Sequence, residues 1–153
     1  MSFLLTLSEE RLGDIVDLLP KYEDKIAAAE PIFKLEGRRL EEILRTLPHH
    51  QSSYDQSYQE LKGLEDWIIN IKEKKVGKLW KKFNEGYSRQ LSQKDISAYI
   101  AADQEIVDLN QILIEVVTLK NSFLAIVEAL RQMGFRTGNI TSLRVAELQE
   151  TIL

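Results

Sequence analysis

From Gln93 to Met133 the chain reads QKDISAYIAADQEIVDLNQILIEVVTLKNSFLAIVEALRQM, with neither proline nor glycine to interrupt it. Ile106, Leu109, Leu113, Val116, Phe123, Val127 and Leu130 recur in nearly heptad spacing, with Lys120 as the exception. That period belongs to a helix with one apolar seam. At about 1.5 Å per residue it predicts a helix on the order of 60 Å long, which projects from a domain of this size. A second stripe, Ile112, Leu119, Ile126 and Met133, lies on another side. Between Ile112 and Met133 the helix then has more apolar surface than one partner helix covers. Self-association through Leu113, Val116, Val117, Phe123, Ile126, Val127 and Leu130 is the expectation, against the alternative of a monomeric bundle that buries both stripes.

The rest of the chain supports the same all-α reading. It has three prolines and seven glycines, and no segment alternates well enough to be a strand. Ser8, Glu9 and Glu10 can start a first helix that stops near Leu19, before Pro20. A second helical region runs from about Lys21 to Leu47, with Pro31 either kinking it or opening a new helix. Pro48-His49-His50-Gln51-Ser52 reads as a turn. A third helix, from Ser53 to Phe83, buries Tyr54, Tyr58, Leu61, Leu64, Ile68, Ile71, Val76, Leu79 and Phe83, and is capped by Asn84-Glu85-Gly86. After a loop from Tyr87 to Leu91, Ser92-Gln93-Lys94-Asp95 starts the long helix with a capping box in which Asp replaces Glu or Gln. Gly134 should end that helix, and Thr137 or Asn139 caps a last one carrying Ile140, Leu143, Val145, Ala146, Leu148 and Leu153. The fold class is thus a helical hairpin or bundle with one long C-terminal helix. Residues 1–50 form an N-terminal helical region available for partner contact. Residues 51–153 hold the basic, long and oligomerisation helices, all within one structural domain.

Size and composition bound the function. With 153 residues, 44% hydrophobic and 29% charged, the chain fits one soluble domain with a real core. It has no cysteine, which excludes disulfides, thiolate metal sites and a cysteine nucleophile, and fits a reducing cytosol. Met1 to Leu7 is apolar but lacks a preceding basic region and a small-residue cleavage site, so it does not read as a signal peptide. The apolar stretch Ile112–Val117 is broken by Glu115 and too short to span a bilayer. A cytoplasmic protein without membrane contact is expected.

Charge is distributed unevenly. Residues 1–71 hold 8 Lys/Arg against 14 Asp/Glu, residues 72–94 hold 8 against 2, and residues 95–153 hold 4 against 8. The basic island comprises Lys72, Lys74, Lys75, Lys78, Lys81, Lys82, Arg89 and Lys94. Lys74, Lys75, Lys78, Lys81 and Lys82 fall at i, i+1, i+4, i+7 and i+8, on one helical face. Like charges at this spacing oppose an isolated helix by a few tenths of a kcal/mol per pair, roughly, so something else must favour them. With Trp80, Phe83 and Tyr87 interleaved, cations and rings together suit a single-stranded nucleic acid. The competing reading makes the lysines a solvated face while Ile69, Val76, Leu79, Trp80 and Phe83 are the buried face of the same helix.

Reactive chemistry is sparse. His49 and His50 lie beside the turn without a Cys or a helical His partner, so they read as exposed turn residues rather than ligands. There is no Gly-rich phosphate loop and no nucleophile elbow. Glu9-Glu10 and Glu41-Glu42 lie on amphipathic helices whose solvated faces explain them. No catalytic residue, metal or cofactor is assigned.

Lys72 through Lys-Leu-Trp-Lys-Lys-Phe-Asn-Glu-Gly at 78–86, then Leu91-Ser-Gln-Lys-Asp-Ile-Ser-Ala-Tyr-Ile-Ala-Ala-Asp at 91–103, is similar to the UvsY-type recombination mediators of tailed bacteriophages. Phe123-Leu-Ala-Ile-Val-Glu-Ala-Leu-Arg-Gln-Met-Gly-Phe at 123–135, with Asn139, Ile140 and Arg144, resembles that family's closing segment. The resemblance covers about residues 50–150 and rests on diffuse helical patterns. It implies a non-enzymatic protein that forms a cyclic homo-oligomer, binds single-stranded DNA and helps load a RecA-like recombinase onto strands covered by single-strand-binding protein. The work would take place in a host cytoplasm. Carried over by position, the DNA contacts are Lys74, Lys75, Lys78, Lys81 and Lys82. The family's Lys-x-Arg step is not kept, since Lys78 is followed by Leu79 and Trp80. The alternative is a structural coiled-coil or adaptor protein whose partner is another protein.

Overall fold

A computed structural model describes residues 12–86 and 90–152. Every element among them is helical: α1 (Leu12–Ala27), α2 (Glu30–Phe33), α3 (Leu40–Glu85), α4 (Gln93–Ala102) and α5 (Gln104–Ile152). The expected first-helix start at Ser8 and the loop residues Tyr87, Ser88 and Arg89 lie outside the described residues, as do the side chains of Leu148 and Leu153.

The helical region expected from Lys21 to Leu47 is interrupted by a non-helical link between Phe33 and Leu40, and helix boundaries differ from the sequence expectation at four further places. First, α1 passes through Pro20 instead of stopping before it. Pro20 is exposed, and Ile15, Leu19, Tyr22 and Ile26 continue an inward stripe past it, so burial outweighs one missing ladder bond. Second, Pro48–Ser52 is not a turn but part of the 46-residue α3. Exposed Pro48 points away from the face on which Ile43, Leu47, Tyr54, Ser57, Leu61, Leu64 and Ile68 are buried. Third, the predicted helix from Gln93 to Met133 breaks at Asp103, whose backbone is extended. Its carboxylate Oδ1 accepts from the Glu105 and Ile106 N–H groups at 3.0 and 3.3 Å, capping α5. Fourth, α5 does not end at Gly134 but continues to Ile152. Buried Met133 and Thr137 carry the inward face through the glycines.

Other expectations stand. Pro31 opens a new short helix at the first turn of α2. The link to α3 turns at Gly37, whose φ of 75° is left-handed. α3 ends at Glu85, with the Gly86 N–H donating to the Lys82 carbonyl at 2.9 Å. Ser92 caps α4: its Oγ accepts from the Asp95 N–H at 3.1 Å and donates to Asp95 Oδ2 at 2.7 Å.

The chain divides into two compact units that cut across the long helices. The first contains residues 12–19 and Glu60–Leu119. Its buried residues include Ile15, Leu61, Leu64, Ile68 and Val116, and a cluster of Leu79, Ile96, Ile100 and Ile106. The second contains Pro20–Gln59 and residues 120–152. Phe123 sits at its centre, with the Tyr22 and Tyr54 rings each 5.9 Å away, edge-on and tilted respectively. The Tyr54 hydroxyl donates to the Lys25 carbonyl at 3.0 Å, while Lys25 Nζ donates to Ser57 Oγ at 2.7 Å and to the Ser53 carbonyl at 2.9 Å. Polar groups that accompany the aromatic core are therefore satisfied.

Candidate nucleic-acid interface

The last turns of α3 carry the basic island within the first unit. Lys74, Lys78, Lys81 and Lys82 are exposed, while Lys72 and Lys75 are half-buried. At helical spacing Lys74, Lys78 and Lys81 lie within about 60° of one another, and Lys75 and Lys82 flank them. Val76, Trp80 and Phe83 turn away from this row and pack against Leu79, Ile96, Ile100 and Ile106. Lys82 stands in the last helical turn, where the negative end of the helix dipole offsets part of the repulsion along the row.

Not every predicted contact joins the row. The Lys75 ammonium pairs with the Glu105 carboxylate of α5. Lys74, Lys75 and Lys78 also line a groove of about 440 Å³ whose apolar lining includes Val16, Ile71, Leu109 and Ile112. Glu105 and Asp108 line the same groove, so its charge is mixed. Lys72 stands on another side and lines a separate groove with Ile69, Glu73, Val76 and Leu113. Trp80 is placed with the core packing rather than on the lysine row. Arg89 lies outside the described residues.

An aromatic residue that the sequence reading missed stands next to the row. Tyr99 of α4 is 50% exposed, and its ring centroid lies 5.7 Å from that of Phe83 at an interplanar angle of 31°. Lys82 Nζ lies 6.0 Å from the Phe83 centroid, so cation, half-buried ring and exposed ring are contiguous. The signal was present: Ile96 and Ile100 set the inward face of α4, which leaves Tyr99 on its flank.

The expected subunit-interface residues divide likewise. Val116, Phe123 and Leu130 are fully buried within the single chain, and Leu113, Val117, Ile126 and Val127 are half-buried. Among the described residues, the large apolar side chains that α5 leaves exposed are Val107, Ile114, Leu124, Phe135, Leu143 and Val145. His49 and His50 lie inside α3 with ring centroids 5.9 Å apart. Burial holds the His50 pKa below its ordinary value, and the charges of His49 and Arg38 push it the same way. Among the described residues no group of three or more His, Cys, Asp or Glu is placed to hold a metal ion. Nor is any helix among them long and apolar enough to cross a membrane. No family model matches this chain, and no curated protein and no solved structure matches it.

Proposed function

We propose that this chain binds single-stranded DNA along the lysine face of α3 and serves as a recombination mediator, helping to load a RecA-like recombinase onto strands covered by single-strand-binding protein. The observation that carries DNA binding is the exposed row Lys74, Lys78, Lys81 and Lys82 in a chain of net charge −4. Exposed Tyr99 adds a surface on which a base can stack. Glu105 and Asp108 repel phosphates from the mixed groove, which directs the strand along the outer row. Such contacts read phosphate and ring, not base edges, so sequence preference is slight. The mediator role rests on the resemblance of residues 72–86, 91–103 and 123–135 to the UvsY-type proteins. The reading is non-enzymatic, requires no cofactor and belongs in the cytoplasm.

One subunit neutralises only a few phosphates and would release the strand readily in salt. A cyclic homo-oligomer repeats the row, and tethered weak contacts hold a strand while each stays exchangeable. The exposed apolar residues of α5 supply surface for such assembly. The packing of Trp80 and Phe83 in the core favours the second reading, an adaptor whose lysines are solvated. Fluorescence anisotropy with single- and double-stranded oligonucleotides across a salt series, with the mass recorded in the same buffer, separates them. Salt-sensitive preference for single strands by a multimer supports the mediator; no binding at low salt leaves the adaptor.

A further inference from the structure

A second basic cluster lies in the other unit, inside the part of the sequence that reads as acidic. Arg38, Arg39 and Arg144 line a cleft of about 610 Å³ whose described lining includes one acidic residue, Glu41. The left-handed turn at Gly37 brings Arg38 back against the chain, where Nη1 donates to the Ile32 carbonyl at 3.0 Å and to the Lys34 carbonyl at 3.4 Å. Those bonds fix the guanidinium and leave its remaining N–H donors for other acceptors. Arg39 and Arg144 are exposed, and neither enters an ion pair among the described residues.

Guanidinium groups grip carboxylate and phosphate oxygens in pairs, so the charge calls for an anionic ligand. The uncharged part of the lining selects among anions. Leu35, Leu40, Ile43 and Ile140 are aliphatic, and among the described residues no aromatic ring lines the cleft. A nucleic acid would find nothing there on which to stack a base. An apolar side chain flanked by carboxylates fits both parts of the lining. We propose that this cleft docks an acidic peptide segment of a partner protein, with one apolar side chain seated among Leu35, Leu40, Ile43 and Ile140 and its neighbouring carboxylates held by Arg39, Arg144 and the fixed Arg38. The inference is independent of DNA binding, since it uses residues of the other unit.

The test measures anisotropy of a fluorescein-labelled peptide, Asp-Asp-Glu-Leu-Asp-Phe-Glu-Asp, with the full chain at low salt, alongside a labelled oligothymidylate. Three proteins are compared: the parent, R39E/R144E and K74A/K78A/K81A, each checked for helicity by circular dichroism. All five side chains are exposed, so the fold should survive. The expected result is at least tenfold weaker peptide binding by R39E/R144E, unchanged peptide binding by K74A/K78A/K81A, and no binding of the Asn/Gln version of the peptide. Failure of the acidic peptide to bind the parent, or equal binding by R39E/R144E, overturns the proposal. So does a loss confined to oligothymidylate in R39E/R144E, which would make the cleft a nucleic-acid contact. Loss of oligothymidylate binding by K74A/K78A/K81A alone bears on the lysine face, so the two readings fail separately.

Discussion

Tyr99 shields one side of Phe83, 5.7 Å between ring centroids, yet keeps half of its own surface exposed. Of these two rings, therefore, one serves the core and the other is available to a ligand. Tyr99→Ala should weaken single-strand binding by about 1–3 kcal/mol, the usual worth of one base–aromatic stack, with little change in stability. Phe83→Ala should instead lower the thermal midpoint, because Phe83 packs against the Leu79–Ile96–Ile100–Ile106 cluster. Anisotropy titrations paired with thermal melts read both; equal binding by Tyr99→Ala would remove Tyr99 from the interface.

The lysines should separate by their partners. Replacing Lys74, Lys78 and Lys81 by Ala removes three cations, so the slope of log affinity against log salt should become shallower by about 2 for a single strand. Lys75 is already paired with Glu105, and both groups are partly solvated, with side-chain exposures of 32% and 68%. Lys75→Ala should therefore cost less than about 1 kcal/mol of stability. It should also change the salt slope less than removal of Lys78. A larger slope change for Lys75→Ala than for Lys78→Ala would contradict the assignment.

Period carried more information here than punctuation did. The inward positions Leu61, Leu64, Ile68, Leu79, Ile106 and Leu109 follow from apolar spacing alone, and they are buried. Proline and glycine misled because their penalties are local, on the order of 1 kcal/mol for Gly and 3 for Pro in a helix interior. Burial on both sides of Pro20, Pro48 and Gly134 outweighs them. Asp103 shows the reverse case, a strong N-cap hidden inside an apolar pattern that continued across it. At the candidate site the lysine face could be read from spacing, whereas the Lys75–Glu105 pair and the Tyr99–Phe83 ring contact join different helices and depend on packing. The arginine cleft went unseen for the same reason: Arg144 is over a hundred residues from Arg38 and Arg39, in regions with acidic totals.

Phe123 was expected to face another subunit, but it is fully buried between Tyr22 and Tyr54. Phe123→Ala should destabilise the chain by about 3–5 kcal/mol through lost burial and the cavity left behind. Urea denaturation measures this directly. A loss below 1 kcal/mol, accompanied by a smaller assembly, would return Phe123 to a subunit interface.

Two glycines should respond oppositely to the same substitution. A Cβ on Gly138 of α5 would meet nothing within 4 Å, so Gly138→Ala should stabilise the helix interior by up to about 1 kcal/mol. At Gly86 a Cβ would come within 2.6 Å of the Lys82 carbonyl oxygen, the acceptor of the Gly86 N–H. Relief requires the end of α3 to shift, so Gly86→Ala should lower the midpoint and loosen the segment that displays Lys81 and Lys82. Thermal melts of the two variants give the sign of each effect.

His50 gives the second unit a pH dependence with a defined sign. Burial, then the charges of His49 and Arg38, hold its pKa below the ordinary value of 6.5 in the folded chain. Above that value both folded and unfolded chains leave His50 neutral, and it contributes no pH dependence. As pH falls through the unfolded pKa, the unfolded chain takes up its proton first, so stability decreases; the loss levels off only below the folded pKa. His50→Gln, which keeps a polar side chain but cannot titrate, should therefore lose less thermal stability than the parent between pH 7.5 and 5.5. The two proteins differ only at this residue, so the difference between the two curves reports on His50. Parallel curves would show that His50 has the same proton affinity folded and unfolded.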